Sequence, residues 1–230
     1  MNKAYAIATS TSISRINPWM ELTLADLRGA YSFFLVKRFL DITIALVFIL
    51  GFLPFYLILA LFTFASSQGP IIFRQERVGK NGRKFTMYKF RSMHHEAEKD
   101  GPMLAVPNDP RITKWGQFMR RYKLDETPQF FNVLEGSMSL VGPRPERAYF
   151  KDQLTHFFPH LGDLNKVKPG ITSLGQIKFG YASNLDQMQK RARYDLLYLK
   201  NLSLITDLKI VALTFIHVFV GERSFNRLNK

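Results

Sequence analysis

The sequence predicts an α+β protein, mainly helical, with one membrane-embedded helix ahead of a small domain that carries a short β-hairpin. Three observations predict it. A long apolar run stands near the N-terminus. Two short strand-like segments flank a glycine-rich turn, and much of the remaining chain repeats its apolar residues at helical spacing. Across 230 residues, 32 Lys+Arg against 18 Asp+Glu leave a net charge of +14. That excess calls for an anionic partner: nucleic acid, an anionic membrane surface or a phosphorylated substrate. No cysteine occurs, which excludes disulfides and thiolate metal sites.

Residues 1–35 read as an N-terminal arm. "MNKAYAIATSTSISRINPWM" lacks the basic, apolar, small-residue order of a signal peptide, and no chemistry is assigned to it.

Residues 36–66 form the membrane element. From Ile42 to Ala65 no charged residue occurs over 24 positions, long enough to span a bilayer. A soluble core helix should show a polar face, and this segment shows none. Pro54, with Gly51 one turn before it, interrupts the hydrogen-bond ladder and kinks the helix. Both flanks are basic: Lys37 and Arg38 before, then Arg74, Arg77, Lys80, Arg83 and Lys84 after. Two topologies stay open. One is a kinked spanning helix; the other enters, bends and leaves by the same face, keeping both basic ends at anionic lipid headgroups. Asp41 is expected to pair with Arg38 or a later cation.

Residues 67–230 supply the catalytic domain. Gly69-Pro70 ends the membrane helix. "IIFRQERV" and "KFTMYKF" around "GKNG" predict the hairpin, and "DGPMLAVPNDPRIT" reads as loop. "KWGQFMRRYKL" predicts a short helix, with Trp115, Phe118, Met119 and Tyr122 at helical spacing. "TPQFFNVL" predicts another that stops at Gly136. "SMSLVGPRPE" is extended, because each proline pushes the preceding residue out of the helical region. "VKPGITSLGQI" is turn-rich and "NLDQMQKRARYDLLYLKN" a long helix. "SLITDLKIVALTFIHVFVG" is a last helix, amphipathic and then apolar, suited either to lie in the membrane interface or to be buried.

The chemistry concentrates at Asp125-Glu126. Taken alone, Asp125 ahead of a proline-bearing first turn reads as a helix N-cap. Its neighbourhood supports a second reading. Arg120, Arg121 and Lys123 lie upstream, Arg144 stands between two prolines, and Lys89 and Arg91 lie in "YKFRSM". Guanidinium forks match phosphate oxygens. Two carboxylates among such cations fit phosphate chemistry with Mg²⁺, a hard cation held by carboxylate and substrate phosphate. A solvated salt-bridge network has the same composition, so both remain open here. His94 and His95 lack a third ligand and read as surface residues. No P-loop, GxGxxG or nucleophile elbow occurs.

"KRFLD", "GPIIFRQERVGKNGRKFTMYKFRSM", "NDPRITKWGQFMRRYKLDETPQFFNVLEGSMSLVGPRPE" and "VKPGITSLGQI", in that order, resemble the bacterial sugar transferases, the monotopic phosphoglycosyl transferases. The resemblance runs over about residues 36–215. It implies transfer of a sugar 1-phosphate from a UDP-sugar to undecaprenyl phosphate at the cytoplasmic face of the bacterial inner membrane. UMP is released, and exopolysaccharide, O-antigen, capsule or glycoprotein glycan synthesis begins. It implies Asp125 as the nucleophile that forms an aspartyl-phosphosugar, and Glu126 beside it in metal binding or proton handling. Mg²⁺ would be held by Asp125 and Glu126. Arg120 and Arg144 match the family's phosphate-binding arginines, and Lys89 and Arg91 its "KFRS" cations. The resemblance also implies a re-entrant helix–break–helix over 36–66, with anionic lipid beneath interfacial helices. The break commonly written Ser-Pro here reads Leu53-Pro54. "ITSLGQIKFGYA" departs from the tryptophan-containing form of many members, so no sugar is inferred from it. The given sequence does not show the multi-span N-terminal region of larger members, and by this resemblance it is expected to be a minimal catalytic form. Under this reading nucleic acid is not a partner, and a homodimer is left open. The rival function is a non-catalytic basic membrane scaffold binding anionic lipid or nucleic acid.

Overall fold

A computed structural model describes residues 31–99, 101–106 and 108–220. Most of the expected N-terminal arm falls outside these residues. The first helix, α1 (Tyr31–Ser66), is already formed at Tyr31 and continues through Pro54. The expected interruption therefore takes the form of a proline inside one helix rather than two separate helices. Among the described residues, α1 alone is long and apolar enough to cross a membrane. Its length follows from composition, since residue after residue is Leu, Ile, Phe, Val or Ala with no charge beyond Asp41.

α1 is two-faced in burial though not in polarity. Lys37, Asp41, Ala45, Ile49, Leu59 and Thr63 form a buried stripe, close to the one-turn spacing that puts residues on one side. The opposite side leaves Val47 68%, Leu50 68%, Leu57 73% and Leu61 67% exposed. That is an apolar surface far beyond scattered exposed hydrophobics.

Two strands follow, β1 (Ile72–Val78) and β2 (Lys84–Phe90). They pair antiparallel with Ile72 opposite Phe90 and Val78 opposite Lys84, the hairpin expected from the sequence. Then come α2 (Lys114–Arg121), a 3₁₀ turn Leu124–Glu126, and α3 (Gln129–Glu135), which stops at Gly136 as expected. Asn132, fully buried in α3, donates through Nδ2 to the Thr86 carbonyl at 2.7 Å. It also accepts from the Tyr88 N–H at 3.0 Å. One side chain thereby fixes α3 to β2.

"VKPGITSLGQI" holds more than turns. It contains β4 (Gly170–Thr172), parallel to β3 (Ser139–Val141), and the start of α5 (Leu174–Phe179). Three-residue strands are too short for alternation to show. Between β3 and β4 lie α4 (Ala148–Phe157) and the 3₁₀ segment Pro159–Lys166. The long helix α6 (Leu185–Lys200) and the final helix α7 (Leu204–Val220) follow as predicted. Their core joins Val141, Phe150, Leu154, Leu161, Met188 and Ile210.

The basic residues at the start of α1 bond to protein. Lys37 pairs with Asp207 of α7, whose other oxygen accepts from the Tyr198 hydroxyl at 2.7 Å. Arg38 donates to the carbonyls of Val133 and Leu134, closing the C-terminus of α3. Asp41 departs from expectation. Among the described residues it pairs with no cation, and it accepts from Ser139 Oγ at 2.8 Å and Leu140 N–H at 3.1 Å, because β3 brings those donors under α1. At the far end, Trp115 Nε1 donates to Thr63 Oγ1 at 3.1 Å. Both ends of α1 therefore grip the same unit.

Candidate active site

Lys123 precedes the acidic pair in the left-handed region, φ 57° and ψ 21°. Left-handed backbone is uncommon outside glycine. It turns the chain out of α2 into the 3₁₀ turn that carries Asp125 and Glu126. Asp125 is not an N-cap. α3 begins three to four residues later behind Pro128, with no side-chain cap, and among the described residues the buried Asp125 Oδ1 has no hydrogen-bond partner.

The two carboxyls have opposite surroundings. Burial pushes the Asp125 carboxyl up, Glu126 adds to this, and Arg120, Lys89 and Lys123 pull against it. Glu126 bonds Arg144 Nη2 at 3.3 Å. Burial opposes ionisation there too, but Arg144, Lys123 and Lys89 together win and hold its carboxyl down at about 2. A buried carboxyl beside a salt-bridged one is a pattern of functional sites, where neighbours push proton affinities apart.

The expected cations divide. Arg120 donates through Nε to Ser92 Oγ at 2.9 Å, which aims it from α2 across the start of the following turn. The close approach needs Gly116, where a Cβ would stand 1.9 Å from the Ser92 carbonyl oxygen. Lys89 is half-buried; burial and the Arg77 charge bring its ammonium down to about 8, against Asp125 and Glu126. Arg144 is half-buried in the "PRP" loop, its backbone N–H donating to Asp195 Oδ2 at 3.1 Å. Arg91 does not join them. Its guanidinium donates to the carbonyls of Thr63, Ser67 and Pro70 and to Ser67 Oγ, closing the C-terminal end of α1. A helix end leaves carbonyls unpaired, and Arg91 is spent on them.

Several residues of the site were not singled out from the sequence. Arg77 read as a membrane-flank cation, yet it donates to the Pro145 carbonyl at 3.0 Å, and burial lowers its guanidinium to about 10. Strand alternation carried the signal. The register puts Phe73 opposite Lys89 and Arg77 opposite Phe85, so Arg77 and Lys89 share one face. Arg191 of α6 bonds Glu146 at 2.6 Å. Asp195, pushed up to about 6 by burial, ties the Arg144 loop to the start of α5. Tyr181 accepts from Lys123 Nζ at 3.0 Å. Those contacts cross 20 to 68 positions of sequence, and no local pattern encodes them.

Beside the pair opens a cavity of about 660 Å³. Lys123, Glu126, Arg144, Arg191 and Tyr181 contribute its polar wall. The apolar wall comes from Phe48 and Phe52 of α1, Phe130 of α3, and Val211, Phe215 and Phe219 of α7. The site fits a hard divalent cation in one respect, an uncommitted buried carboxylate oxygen beside a second carboxylate. Among the described residues no group of three acidic or histidine ligands occurs, so other oxygens would come from substrate and water. His94 and His95 are exposed.

Fold and site define a helical protein in which an apolar helix roofs an acid–base cluster at an amphipathic cavity. The sequence profile described as "Bacterial sugar transferase" matches residues 32–221. The chain belongs to this family. It is 39% identical over 213 residues (93% of this chain, 50% of the relative) to the UDP-N-acetylgalactosamine-undecaprenyl-phosphate N-acetylgalactosaminephosphotransferase of Aeromonas hydrophila. It is 42% identical over 193 residues (83% of this chain, 42% of the relative) to the UDP-glucose:undecaprenyl-phosphate glucose-1-phosphate transferase of Escherichia coli K12. An uncharacterized sugar transferase of Bacillus subtilis, EpsL, is 38% identical over 192 residues, 82% of this chain and 89% of the relative. The chain thus spans half or less of the Aeromonas and Escherichia relatives.

Proposed function

We propose that this protein moves a sugar 1-phosphate from a UDP-sugar to undecaprenyl phosphate in two steps through Asp125. The observation that carries this reading is Asp125 Oδ1, buried and unpartnered amid Lys89, Arg120 and Lys123. Asp125 attacks the sugar-linked phosphorus; the bond to the bridging oxygen breaks and UMP leaves with that oxygen. The acceptor's phosphate oxygen then attacks the same phosphorus and frees Asp125. A carboxylate approaching a diphosphate meets like charge, which Arg120, Arg144, Lys89 and Lys123 offset. Mg²⁺ held by Asp125 and Glu126 would neutralise further phosphate oxygen charge. The relatives' names support both substrates. The cavity supports the acceptor, since one wall suits a phosphate and the other an isoprenoid chain.

α1 is re-entrant in this reading, and the catalytic unit sits on the cytoplasmic face of the inner membrane. At about 1.5 Å per residue a straight 36-residue helix reaches roughly 54 Å, well beyond a hydrocarbon core of about 30 Å. Yet Lys37, Arg38 and Asp41 near one end and Thr63 at the other bond to a single unit. A spanning helix would separate those ends across the bilayer. The exposed side of α7, with Ile205 67%, Leu208 71% and Phe219 79% exposed, suits the interface over anionic lipid. Single cysteines at Val36 and Gln68 test this: impermeant thiol reagents should label both from the cytoplasmic side only. Labelling from opposite sides means a spanning helix.

Incubation with a UDP-sugar labelled in its sugar should mark the wild-type protein covalently, and a folded Asp125→Asn protein should stay unmarked. Label retained in Asp125→Asn overturns the nucleophile assignment.

A further inference from the structure

The mechanism above leaves Gln176 without a task. α5 is fixed on both sides of this residue. The Gly175 N–H donates to Asp195 Oδ1 at 2.8 Å, and the Gln176 N–H to Ser173 Oγ at 3.0 Å. The Gly180 N–H donates to the Gln176 carbonyl at 3.0 Å. A Cβ on Gly175 would lie 2.7 Å from the Arg191 carbonyl oxygen, so α5 is pressed onto α6 without slack. On this fixed turn Gln176 lines the cavity together with Lys123, Glu126 and Arg144. Its side-chain Oε1 is buried and has no hydrogen-bond partner among the described residues. Folded proteins seldom leave a buried acceptor unpaired without a reason, and a wall residue held this rigidly is preorganised for a partner that arrives with the ligand.

We infer that Gln176 is a specificity-determining residue: its Oε1 accepts a hydrogen bond from a hydroxyl or acetamido N–H on the sugar ring of the nucleotide sugar. This rests on the proposed function. The chemistry of the substrates selects the partner. The lipid acceptor offers phosphate oxygens and an apolar tail, and an ionised phosphate only accepts. The diphosphate of the donor also only accepts, and Lys and Arg side chains serve it. A donor group must come from the sugar, the ribose or the base. The sugar is joined through a single oxygen to the phosphorus that Asp125 attacks, beside the Glu126–Arg144 pair in the same cavity wall, while the ribose stands a phosphate further away and the base beyond it.

The test is UMP release by the full chain in lipid nanodiscs, with UDP-sugars and analogues lacking one hydroxyl or the acetamido group. For one such deletion, kcat/KM of the wild type should fall about tenfold, the size of one neutral hydrogen bond to a buried group. Gln176→Leu should lower kcat/KM for the parent sugar by a similar factor and treat parent and analogue alike. KM for undecaprenyl phosphate and inhibition by UMP should not move. Gln176→Met, of like volume, serves if the leucine variant does not fold. Equal losses with every sugar, including each deletion analogue, would overturn the inference, as would a matching loss of UMP inhibition, which places the contact on the nucleotide. If the wild type releases no UMP from any UDP-sugar, the proposed function itself fails, and this inference falls with it before a variant is compared.

Discussion

Replacing Arg91 by methionine separates a structural arginine from a substrate-binding one. Its guanidinium closes four acceptors at the end of α1: the carbonyls of Thr63, Ser67 and Pro70, and Ser67 Oγ. A hydrogen bond to a charged group contributes about 1.5–3 kcal/mol, and acceptors left buried cost about 1–3 kcal/mol each. The four bonds share one donor group and do not add, and water reaches some of the freed carbonyls, so we expect a net loss of about 3 kcal/mol. For a chain of this size that lowers Tm by roughly 6–12 °C. Thermal unfolding in detergent micelles reads this directly, and steady-state UMP release below the melting range reads the rest. The expected result is a clear fall in Tm with KM for the UDP-sugar within about twofold of wild type. A Tm within 2 °C of wild type with KM raised tenfold would refute the assignment and return Arg91 to the phosphates.

Lys37→Met strands Asp207 in a buried setting and should cost about 3 kcal/mol. Combined with Asp207→Leu it should cost clearly less, read as Tm in micelles; a loss in the double variant equal to the sum of the two single losses would mean the pair is not coupled. The pH dependence of KM for the UDP-sugar should show a limb near pH 8, because Lys89 has its ammonium depressed to about 8. Below that value the charge is present and binds phosphate; as pH rises through it, the charge is lost and KM climbs. Lys89→Arg keeps its charge throughout and should remove the limb, while a limb that persists would assign the titration elsewhere.

Much of this was legible in sequence because it is local. A run of apolar residues, a glycine-rich turn between alternating strands and a proline–glycine bracket around "TPQFFNVL" each act within a few positions, and those elements stand where expected. The cation set was half legible for the same reason. Arg120 lies five residues before Asp125, and Arg144 is held by adjacent prolines. Arg91 bonds the end of α1, which the local sequence did not foretell because those partners sit 21 to 28 positions back, and nothing in "KFRS" says whether a guanidinium turns to substrate or to a helix end. Asp41 failed in the same way: its donors come from β3, 98 and 99 positions away. Asp125 as a cap was a sound local reading that lost to the 3₁₀ turn, which carries the carboxyl away from the amides of α3.

That turn also explains how two adjacent carboxylates acquire different work. A left-handed non-glycine residue costs roughly 1–3 kcal/mol and persists only where its surroundings over-determine it. Lys123 is held this way by the Tyr181 hydroxyl, with its ammonium 4.5 Å from the Tyr181 ring centre. From that fixed point the 3₁₀ turn sends Glu126 toward Arg144 and leaves Asp125 Oδ1 buried without a partner. Glu126 stays ionised because its partner is built in. Asp125 is pushed toward the protonated form, first by burial and then by the neighbouring Glu126 charge, against the pull of Arg120, Lys89 and Lys123. Of the two carboxylates, Asp125 therefore has an oxygen that no protein group holds, and in the proposed function attack at phosphorus falls to Asp125 while Glu126 keeps Arg144 in place beside the incoming phosphate.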